Sequence, residues 1–255
     1  MENIKAILNN IEIARKIKIL FACETGSRAW GFPSPDSDYD VRFIYMHERD
    51  WYLSLSKQKD TVEFMDGTLD ATGWDLKKSL GLLKKSNAPL IERFMSPIEY
   101  YEVQAFKAAF KKLVESYYSP VVVFYHHYSL AKKIWLELET SDAVKLKSYF
   151  YLTRSLLSCN WIIKEKSVLP MHMEGLMTQV DEEYRNWLRH LVNLKATKGE
   201  RYLHPKDRIL TSYAERLWSF IEQAKDNLGV NKLDTSLLNA FFLKTINEHA
   251  YNRTN

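Results

Sequence analysis

A Gly-Ser pair followed by two aspartates at the start of a mainly apolar strand constrains this chain more than any other feature. Gly26-Ser27 precedes Asp38 and Asp40, which lead directly into the run 41–46. Side chains two residues apart on an extended chain point to the same face, and two neighbouring carboxylates attract Mg²⁺. The Gly-Ser turn offers backbone N–H groups and a hydroxyl to phosphate oxygens. The run therefore predicts a strand that carries a metal site and a turn that binds phosphate.

The first hundred residues combine helix patterns with strand patterns. Apolar side chains at helical spacing predict a helix over 2–15, and the alternation after it predicts a strand that ends near Ala22. Residues 41–46 predict a second strand, and two short runs around Asp66-Gly67 predict a hairpin. These elements together predict a small mixed sheet with helices.

A third acid lies inside the second strand of the predicted hairpin. Asp is disfavoured within strands, so we interpret Asp70 as a functional carboxylate that joins Asp38 and Asp40. Asp75 is the alternative third acid, but it directly precedes a predicted helix, where an aspartate favours the N-cap position. We interpret Asp75 as a helix cap and Asp70 as the third acid of the site.

Beyond Ser96-Pro97 the pattern becomes almost wholly helical. A chain of 255 residues exceeds the usual size of a single hydrophobic core, which favours two domains. We predict an α/β (α+β) core with a small mixed sheet over residues 1–115, followed by an all-helical bundle over residues 116–255. Amphipathic spacing predicts helices over 102–117, 121–139, 142–164, 180–195, 207–227 and 234–248.

The composition argues against several classes of protein. Cys23 and Cys159 have no paired spacing and no Cys/His cluster near them, so neither a disulfide framework nor a zinc site is predicted. No apolar run approaches the roughly 18 residues of a membrane span, and residues 1–5 lack a signal-peptide core. We therefore expect a cytoplasmic protein that neither crosses a membrane nor is exported. The net charge of +4 is compatible with a polyanionic partner.

Three carboxylates on adjacent strands suit the transfer of a nucleoside monophosphate (NMP) from a nucleoside triphosphate (NTP). In this reaction a hydroxyl attacks the α-phosphate in line and pyrophosphate leaves, while two Mg²⁺ ions neutralise charge. Asp38 and Asp40 are predicted to bridge the two ions. Asp70 is predicted to bind the ion on the nucleophile side and to help deprotonate the hydroxyl. Gly26 and Ser27 are predicted to hold the β- and γ-phosphates.

Two arginines lie close to these residues in the sequence. Arg28 or Arg42 is predicted to add charge-assisted contacts to the nucleotide phosphates. Arg42 shares a face with Asp38 and Asp40 under strict alternation. An ion pair between Arg42 and an acid is therefore the alternative to a contact with substrate.

The residues from Gly26 to Tyr45, with Asp70 downstream, closely resemble the DNA polymerase β-like nucleotidyltransferase superfamily. That superfamily combines a hydrophobic strand, Gly-Ser, Asp-x-Asp and a single acid on a later strand. A narrower resemblance is to the bacterial and phage branch predicted to act in RNA repair beside RNA ligases. The stretches that carry it are Gly26-Ser-Arg-Ala-Trp-Gly-Phe32, Ser34 to Tyr45, Gly73-Trp-Asp-Leu76 and Ser96-Pro97. The resemblance implies a metal-dependent nucleotidyltransferase core.

Further candidate residues lie on a helix of the predicted second domain. Lys147, Tyr151 and Arg154 are spaced to form one stripe, which would contact the nucleotide phosphates or base. They resemble the basic-aromatic helix of the same branch, and a solvated helix face is the alternative. Trp30 and Phe32 would either stack on a base or cap the core below their loop.

The sequence therefore predicts a metal-dependent nucleotidyltransferase. We expect transfer of NMP, with ATP as the donor and Mg²⁺ or Mn²⁺ as the metal, to a hydroxyl at an RNA 3′ end. RNA and an RNA ligase are the expected partners. One alternative is AMP transfer to a protein or small-molecule hydroxyl, and another is a module that binds nucleotide or RNA without turnover. Salt-dependent RNA binding would favour the first of these functions.

Overall fold

The chain divides into two compact units in the computed structural model, which describes residues 2–56, 58–139, 143–225, 228 and 234–251. We call them the sheet unit and the helical unit. The sheet unit comprises Met1–Thr25, Asp38–Tyr117 and Lys232–Asn255, and the helical unit comprises Gly26–Ser37 and Tyr118–Asn231.

These units do not follow one continuous stretch of chain each. The domain boundaries predicted from the sequence, 1–115 and 116–255, remain a prediction. The two compact units differ from these ranges in two places. Gly26–Ser37 groups with the helical unit, and residues 232–255 group with the sheet unit. Grouping of this kind depends on long-range contacts, which the local sequence pattern does not report.

The sheet unit is built on a mixed sheet. Its described strands are β1 (Lys18–Glu24), β2 (Tyr39–Met46), β3 (Thr61–Asp66), β4 (Leu69–Asp75) and β5 (Glu99–Glu102). They are ordered β3-β4-β2-β1-β5, with β2 and β4 parallel and the other neighbours antiparallel. The predicted mixed sheet and the hairpin at Asp66-Gly67 are confirmed, whereas β5 was not predicted. Because β2 and β4 pair in register, Asp40 lies directly beside Asp70.

Helices pack against this sheet and against one another within the sheet unit. Ile4, Leu8 and Ile11 of the first helix are buried in a core that includes Val41 and Phe43 of β2. This confirms the helix predicted over 2–15. Numbered along the whole chain, the described helices of this unit are α1 (Glu2–Arg15), α3 (Arg49–Tyr52), α4 (Leu76–Lys84), α5 (Ala88–Arg93), α6 (Gln104–Tyr117) and α12 (Ser236–Tyr251).

The last helix, α12, belongs to the sheet unit although it lies at the far end of the sequence. Phe241 packs against Phe106 and Phe110 of α6, with ring centroids 5.7 and 5.9 Å apart. Phe242 meets the ring of Tyr52 edge-on at 5.1 Å. The helix itself was predicted, but its packing partners were not.

The helical unit is helical as predicted, apart from a short two-stranded ladder. Residues 143–145 pair with 203–205, so the helix predicted from 142 begins at Leu146 instead. Residues 142 and 226–227, which the predicted helices included, lie outside the described residues. The described elements are α2 (Gly26–Trp30), α7 (Pro120–Glu139), β6 (Ala143–Lys145), α8 (Leu146–Glu165), α9 (Met173–Met177), α10 (Glu182–Lys195), β7 (Leu203–Pro205) and α11 (Arg208–Ala224).

Gly26-Ser27, predicted as a turn, begins the short helix α2. Gly26 has a φ of +62°, a conformation that glycine adopts at little cost. At the centre of the unit, α8 packs against α7 and α11, and most of its side chains are buried. Within the described part of both units, no helix is long and apolar enough to cross a membrane.

Candidate active site

Two of the three predicted acids lie side by side on the sheet. Arg42 Nη2 donates to Asp40 Oδ1 at 3.1 Å and to Asp70 Oδ2 at 2.8 Å. The two carboxylates remain 32% and 35% exposed, so solvent reaches both. The structure thus brings Asp40 and Asp70 together around one cationic group, and Arg42 forms the ion pairs that were the alternative to a substrate contact.

Hydrogen bonds hold both the backbone N–H and the backbone carbonyl of Asp40. Its N–H donates to Glu24 Oε1 at 2.7 Å, while its carbonyl oxygen accepts from Thr25 N–H at 2.9 Å and from the Thr25 hydroxyl at 3.0 Å. Glu24 is fully buried at the end of β1, and its other oxygen accepts from the Tyr100 hydroxyl. Sequence reasoning missed Glu24. Its signal is a charged residue that directly follows the buried apolar run 19–23 of β1.

Asp38, the remaining predicted carboxylate, is exposed and directly precedes β2. The next residue, Tyr39, is held by its N–H, which donates to the Thr68 carbonyl at 2.8 Å. Among the described residues, no three His, Cys, Asp or Glu side chains converge as a metal-binding cluster. The structure therefore brings together two of the three predicted carboxylates, and the metal-binding role of Asp38 stays a prediction.

Asp75 caps helix α4, as its position before that helix predicted. Asp75 Oδ1 accepts from Lys77 N–H at 2.8 Å, and Oδ2 accepts from the Tyr52 hydroxyl at 2.6 Å. The residue is 1% exposed, and burial raises the pKa of its carboxyl although these hydrogen bonds act in the opposite direction. Asp75 is five residues from Asp70 on one strand, so the two side chains point to opposite faces. This geometry supports Asp70 as the third acid.

Replacement of Asp75 separates a capping role from a catalytic one. We expect Asp75→Ala to lower the free energy of unfolding by about 2 kcal/mol, because the helix loses its cap and the Tyr52 hydroxyl loses its acceptor. Urea denaturation measures this loss. Nucleotidyl transfer per folded molecule should stay near the wild-type rate. Loss of transfer at wild-type stability would instead make Asp75 the third acid.

Gly26, Ser27 and Arg28, three of the predicted phosphate-binding residues, lie in the helical unit, whereas Arg42 lies on β2 of the sheet unit. The Ser27 hydroxyl donates to Ser37 Oγ at 3.1 Å, and Arg28 Nη2 donates to the Ser37 carbonyl at 2.7 Å. The Ser34 N–H also donates to Ser37 Oγ, at 2.9 Å. Ser27 and Arg28 are therefore tied to Ser37, which is the chain neighbour of Asp38.

Two of the three residues in the predicted stripe on α8, Tyr151 and Arg154, contact the ring of Trp30. The Arg154 guanidinium lies 4.5 Å from the centre of the Trp30 ring, and Tyr151 meets the same ring edge-on at 5.0 Å. Arg154 is 4% exposed, so the solvated-face interpretation is wrong at this position. Lys147 is more exposed, and its Nζ donates to Glu200 at 2.6 Å.

Phe32, the other aromatic residue of this loop, caps the core. It is fully buried and stacks on Phe150 of α8 with ring centroids 4.7 Å apart. A fully buried ring is not available to stack on a base in this arrangement. The core-capping interpretation of Phe32 is therefore confirmed.

The sequence of the whole chain is similar to proteins of one family. The family model RlaP, described as the RNA repair pathway DNA polymerase beta family, matches residues 1–244. The uncharacterized protein YcgL of Bacillus subtilis (strain 168) is 37% identical over 245 residues, which is 94% of each chain. A nucleotidyltransferase-like protein of known crystal structure, from Exiguobacterium sibiricum 255-15, overlaps with 96% of this chain and 80% of its own. That overlap has 9% identity and a TM-score of 0.30.

Proposed function

Because the chain belongs to the RNA repair pathway DNA polymerase beta family, we propose that it transfers NMP from an NTP to the 3′ hydroxyl of an RNA. Membership of this family makes the protein a polymerase β-like nucleotidyltransferase. One observation supports the reaction most directly. Asp40 and Asp70 lie side by side on parallel strands, with the backbone of Asp40 held at both peptide groups.

The chemistry of Asp40 and Asp70 fits a divalent cation. Carboxylate oxygens are the ligands that Mg²⁺ prefers, and these two carboxylates already converge on the guanidinium of Arg42. We infer that they hold Mg²⁺, or Mn²⁺ in its place, together with Asp38. When bound, the ions would neutralise the charge of the reacting phosphates.

Asp70 is the group that receives the proton of the attacking RNA 3′ hydroxyl. The acceptor oxygen forms a bond to the α-phosphorus, the bond from that phosphorus to pyrophosphate breaks, and the hydroxyl proton passes to the Asp70 carboxylate. Asp70 Oδ1 accepts from the Thr72 hydroxyl at 3.2 Å and Oδ2 accepts from Arg42, which fixes the orientation of the carboxylate. Such preorganisation is a main source of catalysis in phosphoryl transfer.

We assign contacts with the nucleotide to residues of the helical unit. Gly26, Ser27 and Arg28 are assigned to the β- and γ-phosphates. Hydroxyl, backbone N–H and guanidinium groups are donors from which phosphate oxygens accept hydrogen bonds, which supports this assignment. A further contact with phosphate or base is assigned to the three residues of the α8 stripe, Lys147, Tyr151 and Arg154.

Removal of Arg42 should make the stability of the protein depend more strongly on divalent metal. Without its guanidinium, the carboxylates of Asp40 and Asp70 repel one another, so Arg42→Gln in EDTA should lose about 1 kcal/mol of stability. Added Mg²⁺ or Mn²⁺ should restore this loss, giving a larger metal-induced rise in Tm than in wild type.

A matched control for Arg42→Gln is Lys78→Gln, which removes the ion pair to Asp60 in the same unit. Its metal-induced rise in Tm should equal that of the wild type. The same rise in Arg42→Gln and wild type would argue against a metal at Asp40 and Asp70.

The reaction is tested directly with four α-labelled NTPs and a mixed pool of RNAs that carry 3′ hydroxyls, including truncated tRNA. We expect label on RNA from ATP in the presence of Mg²⁺, and none in EDTA. An RNA end completed in this way is a suitable substrate for an RNA ligase. Label on protein or on small molecules, with none on RNA, would contradict the RNA acceptor and favour AMP transfer to those hydroxyls. Binding of NTP without release of pyrophosphate would contradict enzymatic transfer.

A further inference from the structure

The carboxylate of Glu200 lies among donors that suit a phosphate group. It accepts from the Ser37 hydroxyl at 2.8 Å and from Lys147 Nζ at 2.6 Å, and Lys195 Nζ lies 3.9 Å away. These residues all belong to the helical unit and are separated by up to 163 positions along the chain. A hydroxyl and two ammonium groups around one carboxylate form an anion-binding arrangement.

The donors around Glu200 are held in place by other bonds. Ser37 Oγ accepts from the Ser34 N–H and from the Ser27 hydroxyl, which uses both of its lone pairs and leaves its proton for Glu200. Lys195 is 2% exposed, and its Nζ donates to Ser34 Oγ at 2.8 Å. These bonds fix the direction in which the donors point.

The loop at Ser37 does not depend on the Glu200 carboxylate for its attachment. The Glu200 backbone N–H donates to the two oxygens of the Asp36 carboxylate at 2.9 and 3.2 Å. The bond from Lys195 to Ser34 provides a second attachment. The carboxylate can therefore be removed, or can move, while the loop remains attached.

We propose that Ser37, Lys147 and Lys195 form a subsite for a phosphate group of the NTP, which the Glu200 carboxylate fills when no nucleotide is bound. This inference rests on the proposed function, because the ligand is the NTP of that reaction. It assigns roles to Ser37, Lys195 and Glu200 beyond the residues placed in the site above.

Charge and accessibility favour the exchange of a carboxylate for a phosphate. The side chains of Lys147 and Glu200 are 40% and 24% exposed, so a ligand can reach them. Partial burial opposes ionisation of Glu200, but its bonds to Lys147 and Ser37 outweigh burial and lower the pKa of its carboxyl. Glu200 is therefore a single negative charge at neutral pH, and a triphosphate brings several charges to the same donors.

The test compares Glu200→Gln with wild type in binding to inorganic tripolyphosphate and to each NTP, by isothermal titration at low salt. Glutamine keeps the size of the side chain and removes the competing charge. We expect Glu200→Gln to bind tripolyphosphate about tenfold more tightly than wild type. Addition of Lys147→Gln to this variant should reverse the gain.

The matched control is Glu174→Gln, which removes the same charge from an exposed ion pair with Arg189 in the helical unit. It should bind tripolyphosphate as the wild type does. If Glu200→Gln does not fold, Glu200→Ala gives the same test, because it also removes the competing charge and keeps the backbone N–H that bonds to Asp36.

Unchanged or weaker binding of tripolyphosphate in the Glu200 variant would overturn the subsite, as would absence of binding to both proteins. The proposed reaction is judged separately, from transfer of label by the wild type. Tighter binding without transfer would leave the subsite standing and reject the reaction. Transfer without tighter binding would reject the subsite alone.

Discussion

Replacement of Asp40 by asparagine is expected to reduce nucleotidyl transfer at least about 100-fold while leaving the fold intact. Asparagine keeps the shape of the side chain but removes the negative charge that Arg42 contacts and that a divalent cation would use. The bonds from Glu24 and Thr25 involve only the backbone of Asp40, so they remain in the variant. The initial rate of label incorporation into RNA measures the loss, and circular dichroism confirms the fold.

Asp70→Asn should cause a loss of the same order, because Asp70 contacts the same guanidinium and is the proposed proton acceptor. The matched control is Asp66→Asn, an exposed position in the same hairpin that removes the same charge. Its transfer rate should equal the wild-type rate. An Asp40→Asn or Asp70→Asn protein with a rate within about threefold of the wild type would reject the site.

The second large effect expected is on stability, at Gly73 in β4. Gly73 pairs with Phe43 of β2, and a Cβ atom at Gly73 would lie 2.1 to 2.6 Å from atoms of the Phe43 ring. Phe43 is fully buried in the core of the sheet unit, so its ring has no open space to enter. We expect Gly73→Ala to lower the free energy of unfolding by about 3 kcal/mol through overpacking.

Gly81→Ala is the matched control for this substitution. Gly81 lies within α4, and a Cβ atom there would meet nothing within 4 Å. Because alanine favours helix more than glycine does, this variant should gain about 0.5 to 1 kcal/mol. Urea denaturation of both variants measures the difference. Equal stabilities of Gly73→Ala and wild type would show that Phe43 can repack.

Much of the sheet unit could be predicted from local patterns. The spacing of Ile4, Leu8 and Ile11 indicated α1, and Asp66-Gly67 indicated the hairpin, because both signals lie within a few residues. The Asp75 cap was predicted for the same reason. The strand β5 was not, because Glu99–Glu102 becomes a strand through its pairing with β1.

The candidate site was predictable where its chemistry follows from spacing, and not where it depends on distant contacts. Asp40 and Asp70 are neighbours because β2 and β4 pair in parallel, and their residue types and strand positions were visible in the sequence. Glu24 and Glu200 act through partners 16 and 163 residues away, respectively. No local pattern reports such contacts, so the structure was needed to find both residues.

The interleaving of the two units along the chain limits how this enzyme can be dissected. A fragment ending at Tyr117 would keep strands β1 to β5 but lose α12, whose Phe241 and Phe242 pack on α6 and Tyr52. It would also carry Gly26–Ser37 without Lys195 and Glu200. Neither unit is therefore encoded by one continuous stretch of the gene. Exchange of one unit between relatives would require a graft of several separate segments rather than one junction near residue 117.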